Sequence, residues 1–187
     1  MSFNKMFFTL VLGMLFLSSS LTYAQRSYGG GFASPGVVEL GGGLTFQSTT
    51  NVTNGNTGGT TTVFSLQPYV GYFFTDGFEL GFNPFGIQTV EGTTNLLFLL
   101  APSYNFHTGS IAYPFIEALL GIASHSDGDT RSGFSWGLRG GVKLNIVGNS
   151  NLNLGLEYLQ ITENPSGATS RYGYNQVAFN VGFTVWF

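Results

Sequence analysis

The last eleven residues, VAFNVGFTVWF, alternate: counting back from Phe187, every second position is large and apolar (Val185, Phe183, Val181, Phe179, Val177), while Thr184, Gly182, Asn180 and Ala178 lie between. A period of two marks a strand whose two faces meet different surroundings. The same alternation recurs in eight segments, at 37–47, 62–74, 78–87, 95–106, 112–123, 134–146, 151–161 and 174–187. Each has the ~9–11 residues a tilted strand uses to cross a bilayer, or slightly more.

Sorting each segment by parity separates the charges. One phase carries Leu40, Leu44, Phe46, Phe64, Leu66, Phe82, Phe98, Leu120, Leu138 and Leu156, and it has no Asp, Glu, Lys or Arg in any segment. The other carries Glu39, Glu79, Glu117, Glu157, Arg139 and Lys143, with Gln67, Asn83, Ser103, Asn153, Asn180, Thr184 and many glycines. A water-soluble sandwich or barrel would turn its apolar phase inward and charge the outer one. Here the apolar phase suits lipid, and lipid also demands closure, because an open strand edge leaves backbone groups unsatisfied at a cost of several kcal/mol each. The pattern predicts an all-β, eight-stranded, antiparallel up-and-down transmembrane β-barrel with a polar, plugged interior.

The connections sharpen that expectation. TDG, HTGSI and VGNS are tight, whereas the polar stretches at 48–60, 89–95, 124–133 and 162–173 are longer. Short turns at one end and long loops at the other are the layout of an outer-membrane barrel, which puts both termini on the periplasmic side. The aromatics Phe134, Trp136, Tyr158 and Tyr174 toward the outer rim, and Tyr72, Phe74, Phe78, Tyr104, Phe106 and Phe187 toward the inner rim, match two interfacial girdles facing lipid.

Composition agrees. Only 8% of the 187 residues are charged against 16% aromatic, with 28 glycines, too few charges for an ordinary wet surface. After the N-terminus no run of ~20 apolar residues suggests a membrane helix. The scattered basic residues and net charge of -3 give no electrostatic footprint for nucleic acid. Residues 1–24 read as a cleaved signal peptide: one lysine in MSFNK, the apolar run MFFTLVLGMLFL, and small Thr22 and Ala24 before the cut. Residues 25–36 form a glycine-rich lead-in and 37–187 the barrel. With no cysteine there is neither a disulfide nor a lipoprotein acylation site.

The hairpin PYVGYFFTDGFELGF (Pro68–Phe82), the strand YPFIEALLGI (Tyr113–Ile122) and the terminal VGFTVWF resemble the small eight-stranded bacterial outer-membrane barrels, the OmpX-like and OmpA-like barrel domains. The resemblance implies a Gram-negative outer-membrane location. It also implies contact with outer-membrane lipid and lipopolysaccharide, and handling by periplasmic chaperones and the barrel-assembly machinery. The stripe Phe179, Val181, Phe183, Val185 and Phe187 would be the C-terminal assembly signal. Nothing in this sequence corresponds to the periplasmic peptidoglycan-binding domain of longer OmpA-like chains.

Candidate chemistry is sparse. An eight-stranded barrel is just wide enough for side chains to fill, so the inward Glu39, Glu79, Glu117, Arg139, Lys143 and Glu157 are expected as a polar plug. If the turn between the sixth and seventh segments centres on VGNS, Arg139 and Glu157 fall opposite or one step diagonal on the inner face, within reach of a cross-strand pair. Two cations among four carboxylates suggest that at least one of Glu39 and Glu79, near the periplasmic mouth, is solvated. Leu97, Leu99, Phe115 and Leu119 fall on the inward phase, either as an apolar layer or because the phase slips at Pro102 or Pro114. SHSDGDT (Ser124–Thr130) gathers His125, hydroxyls, Asp127 and Asp129 at the outer rim, but it lacks the pattern of a lipid-modifying enzyme or a calcium loop and reads as a solvated loop. His107 reads as turn surface. No catalytic residue, metal site or cofactor is expected. The expected function is a monomeric structural or surface-interaction protein, acting in envelope integrity or adhesion through its loops. A narrow ion or small-solute channel is the alternative, and a lipid A-modifying enzyme is further off.

Overall fold

The computed structural model describes residues 31–90, 93–127, 129–163 and 172–187, with side chains outside 84–95, 125–131 and 163–172. The expected signal peptide lies outside them. Gly31–Trp186 forms one compact unit. Its strands are β1 (Val38–Thr53), β2 (Asn56–Thr75), β3 (Phe78–Val90), β4 (Thr93–Asn105), β5 (Ala112–Asp127), β6 (Asp129–Val147), β7 (Ser150–Glu163) and β8 (Tyr172–Trp186). Each pairs antiparallel with its sequence neighbours, and β1 pairs with β8 from Glu39↔Trp186 to Thr53↔Tyr172, closing the barrel. Closure removes the edges that lipid would penalise.

Burial follows the parity of the sequence. Phe46, Phe64, Leu100, Ile122, Leu138, Leu156 and Phe179 are exposed on the outer wall, while Glu39, Thr45, Glu79, Ser103, Glu117, Ser135, Lys143 and Glu157 are buried inside. β4, β5 and β6 hold one register throughout, Leu100↔Leu120, Ser103↔Glu117 and Pro114↔Val142, so the phase does not slip at Pro102 or Pro114. Leu97, Leu99 and Leu119 instead join Tyr69, Ala101, Ala123, Leu159 and Ile161 in an apolar layer inside the barrel. Tyr174 packs against this layer. Its parity matches inward Gln176 and Ala178, so the structure removes it from the outer girdle.

Large and small residues interlock within that layer. A Cβ built on Gly121 would lie 1.8 Å from the Phe98 carbonyl and 2.9 Å from Leu99 Cδ2, and one on Gly81 would lie 2.5 Å from the Tyr69 hydroxyl. Only glycine admits the neighbouring strand and side chain this closely. The ladder shifts register between Leu66 and Val70 on β2 and between Asn83 and Gly86 on β3. Pro68 and Pro84, which have no N–H to give a ladder, stand at these shifts, and the Asn83 side-chain amide donates to the Pro68 carbonyl at 3.0 Å.

Two regions differ from the sequence expectation. The stretch at 48–60 is a β-ribbon rather than a loop: β1 and β2 stay paired to Thr53↔Asn56 around Asn54–Gly55, whose φ values of 48° and 83° fit a two-residue hairpin turn. Its β-branched threonines favour extended backbone. The apolar alternation ends at Gln47 and Val63, beyond which Asn56–Thr62 is exposed on both faces. Likewise β3 and β4 pair to Val90↔Thr93, and β5 and β6 to Asp127↔Asp129.

The second region is the lead-in. Phe32, Ala33 and Val37 are buried with Phe73 at the end of the barrel that carries the short turns, with Tyr113 and Trp186 packed against them. Ala33 adopts φ +68°, a left-handed conformation costing an L-residue about 1–2 kcal/mol.

Candidate functional site

All six charged residues expected inside are there, in two clusters separated along β6. Arg139 lies opposite Glu117 on β5 and opposite Glu157 on β7. Its Nη1 donates to Glu117 Oε2 at 2.8 Å, its Nε and Nη2 to Glu157 Oε2 at 2.9 and 2.6 Å, and its Nη2 also to Gln67 Oε1 at 2.9 Å. One planar guanidinium with five donors thus holds two carboxylates and an amide. Four residues further along β6, Lys143 Nζ donates to Glu39 Oε2 at 2.5 Å and to Glu79 Oε2 at 2.8 Å.

The second cluster corrects the expectation that Glu39 or Glu79 is solvated. Both are 0% exposed and both are bound by Lys143. The count of two cations for four carboxylates is met because each cation bridges two acids. Neutral donors add to this: Thr184 Oγ1 and Asn151 Nδ2 (3.4 Å) donate to Glu39 Oε1, and Ser103 Oγ and Asn105 Nδ2, each at 3.2 Å, donate to Glu79 Oε2; among the described residues Glu79 Oε1 and Glu157 Oε1 have no hydrogen-bond donor. Charge-assisted bonds of this kind are about twice as strong as neutral ones, which favours a single arrangement of the strands that supply them.

Aromatic rings surround the ammonium of this cluster. Lys143 Nζ lies 5.4 Å from the Phe32 ring centroid, 5.3 Å from Tyr69, 5.9 Å from Phe73 and 5.7 Å from Phe115. These distances are within cation–π range. Phe32, Asn105, Asn151 and Trp186 are the members that sequence reasoning missed. Asn105 and Asn151 sit at strand ends where parity blurs into the turn, and Phe32 lies in a glycine-rich stretch with no period to read.

The two clusters are stacked between apolar barriers. On β6, Gly137 pairs with Leu119 and Leu159 of the apolar layer, Arg139 follows two residues on, then Lys143. Beyond Lys143 lies the Phe32 stopper. Leu99, Leu119 and Leu159 are at most 1% exposed, and buried polar residues stand beside them, Gln176 opposite Leu159 and Ser135 opposite Ile161. The arrangement locks the strands together.

The other sequence candidates do not join this site. His107 is exposed, its ring 5.7 Å from that of Tyr113. The side chains of His125, Asp127 and Asp129 lie outside the described residues. On the C-terminal stripe Val177, Phe179, Phe183 and Val185 face outward, 39–58% exposed, and Val181 is half-buried.

With this geometry in hand, comparison with solved structures places the chain. It is similar to Neisserial surface protein A, with a TM-score of 0.58 at 19% identity over 80% of this chain and 95% of that one. It has the fold of the small eight-stranded outer-membrane β-barrels. The outer membrane protein OprG from Pseudomonas aeruginosa gives a TM-score of 0.52 at 14% identity, over 84% of this chain and 98% of that one. No protein-family model matches the chain, and no curated protein matches it. At these identities the likeness concerns the barrel, and one barrel hosts many activities.

Proposed function

We propose that the protein is an integral outer-membrane barrel of Gram-negative bacteria with a structural and surface-interaction role. In this reading its short turns face the periplasm and the β1–β2 ribbon faces outward. The observation that carries it is a lumen filled by buried ion pairs and an apolar layer, combined with a protruding strand edge. β1 is paired on both sides out to Thr53, but β2 pairs with β3 only from Ser65↔Gln88 inward. Among the described residues, Asn56–Phe64 therefore has a ladder partner on one side alone. An exposed edge of this length, free of charge and proline, can be extended by a strand of another protein. Signal-peptide export, recognition of the Phe179–Phe187 stripe during assembly, contact with lipopolysaccharide, a monomeric state and the absence of catalysis belong to the same reading.

The test compares cells carrying the parent protein with cells in which residues 50–60 are replaced by an Asn-Gly turn between the ladder partners Thr49 and Thr61. Adhesion to immobilised extracellular proteins should fall several-fold while heat-modifiable gel migration, a sign of barrel closure, is kept. Unchanged adhesion and unchanged detergent sensitivity in a full deletion strain would remove the proposal. The interior cavity described next supports a channel as the second reading, which single-channel conductance by the parent protein would establish. Altered lipid A mass spectra that depend on His125 would instead favour an enzyme.

A further inference from the structure

Between the two charge clusters the interior holds a cavity of about 60 Å³, bordered by Gln67, Tyr69, Asn83, Arg139, Lys143 and Asn153 and by glycines of β1, β7 and β8. A polar cavity of this size accommodates water. Asn83 is 3% exposed, and its Oδ1, like that of Asn153, has no protein partner. These acceptors are where cavity water would bond. Toward the ribbon end the chamber is closed by the apolar layer, which belongs to the wall strands themselves.

Toward the turn end the closure is of another kind. Phe32 comes from the segment preceding β1 and is 1% exposed, its ring 5.2 Å from Phe73, 4.9 Å from Tyr113 and 6.0 Å from Trp186. Among the described residues the segment, taken through Val37, is tied to the barrel by three backbone bonds: Gly36 N–H to the Phe73 carbonyl at 2.8 Å, Phe73 N–H to the Val37 carbonyl at 2.9 Å and Gly77 N–H to the Ala33 carbonyl at 2.9 Å. Its other two bonds are internal, Ser34 to Gly31 and Val37 to Ser34. It carries the left-handed Ala33 and Gly36. It can therefore leave without breaking any ladder between wall strands, and segments with few ties open at free energies below that of global unfolding.

We propose that Gly31–Gly36 is a stopper, and that its withdrawal opens the Lys143–Arg139 chamber to the periplasm while the apolar layer keeps it closed to the outside. The barrel is then a one-ended pocket rather than a pore. The charged residues on the cavity wall are Glu117, Arg139 and Lys143, so the pocket takes water and small polar solutes. The periplasmic assignment rests on the orientation given under Proposed function.

The chain has no cysteine, so Asn153→Cys provides a single thiol on the cavity wall. The full-length protein, inserted in liposomes of known orientation, is treated with a membrane-impermeant cationic methanethiosulfonate or with its anionic counterpart. In the Phe32→Ala background, labelling from the turn end should be at least tenfold faster than with Phe32 intact, with either reagent. Phe32→Leu should stay near the parent rate. Gln67→Cys serves as the second reporter should Asn153→Cys fail to show heat-modifiable migration. Equal rates with and without Phe32, or equal labelling from the ribbon end, would overturn the stopper. Conductance measured on the same liposomes separates the two ideas: steps in the parent protein defeat the structural reading, whereas the labelling rates alone decide the stopper.

Discussion

Replacing Arg139 with methionine gives a sharp test of the interior network. Its side chain is 10% exposed and its partners Glu117 and Glu157 are 3% and 1% exposed, so the change leaves two buried carboxylates without their cation. It also removes the bond to Gln67. Breaking a buried pair in this way costs about 3–5 kcal/mol. With a urea slope of about 2 kcal/mol/M, the unfolding midpoint should fall by about 2 M. Tryptophan fluorescence from Trp136 and Trp186, the two tryptophans of the chain, reports the transition for protein refolded in lipid vesicles. Adding Glu117→Gln and Glu157→Gln to Arg139→Met should recover most of the loss, because removing a whole buried ionic cluster is often close to neutral. A midpoint within about 0.5 M of the parent for Arg139→Met alone, or no recovery in the triple variant, would show that the cluster is solvated and the interior is not packed as described.

Other expectations follow from the wall and its layers. Gly121→Ala places a Cβ 1.8 Å from the Phe98 carbonyl, so it should lose about 1–3 kcal/mol or fail to reach the heat-modifiable form on a gel. Leu138, 55% exposed on the outer wall, should tolerate arginine poorly, at about 2–4 kcal/mol if it lies at the bilayer midplane, read from the same urea titration. Leu119→Ala, in the apolar layer and 0% exposed, should cost about 2–5 kcal/mol. Alone it should give no conductance while Phe32 stays in place; together with Phe32→Ala it should give measurable steps in a planar bilayer.

The barrel was legible because lipid imposes one rule on every wall strand: alternate residues must be apolar, and the ionisable ones must turn the other way. The short VGNS turn placed Arg139 and Glu157 opposite or one step diagonal; the pair Val147↔Ser150 alone would set Arg139 against Tyr158, and the register shift between Asn145 and Val147 brings Glu157 opposite. What failed was whatever lay outside that rule. Thr57–Thr62 is polar on both faces, so its composition resembled a loop, although Asn54–Gly55 and the β-branched threonines suit a ribbon. Tyr174 was assigned by residue type to a girdle that its parity excludes. Counting charges suggested a solvated Glu39 or Glu79, because a count does not reveal that one ammonium can bridge two acids under a lid of rings. That lid includes Phe32, which stands in an aperiodic, glycine-rich stretch where no pattern could announce its burial.

The most direct measurement of the central division between lipid-facing and lumen-facing residues is spin-label accessibility on neighbouring strands. Single cysteines at Leu138 and Leu156, which face outward, and at Ser135 and Asn153, which face inward, are labelled before refolding into vesicles. Collision rates are then measured with oxygen, which concentrates in lipid, and with a water-soluble nickel chelate. Labels at 138 and 156 should collide strongly with oxygen and weakly with the chelate, while labels at 135 and 153 should be shielded from both. Strong chelate collisions at 138 and 156, or no difference between the two pairs, would contradict a barrel whose apolar face is turned to lipid.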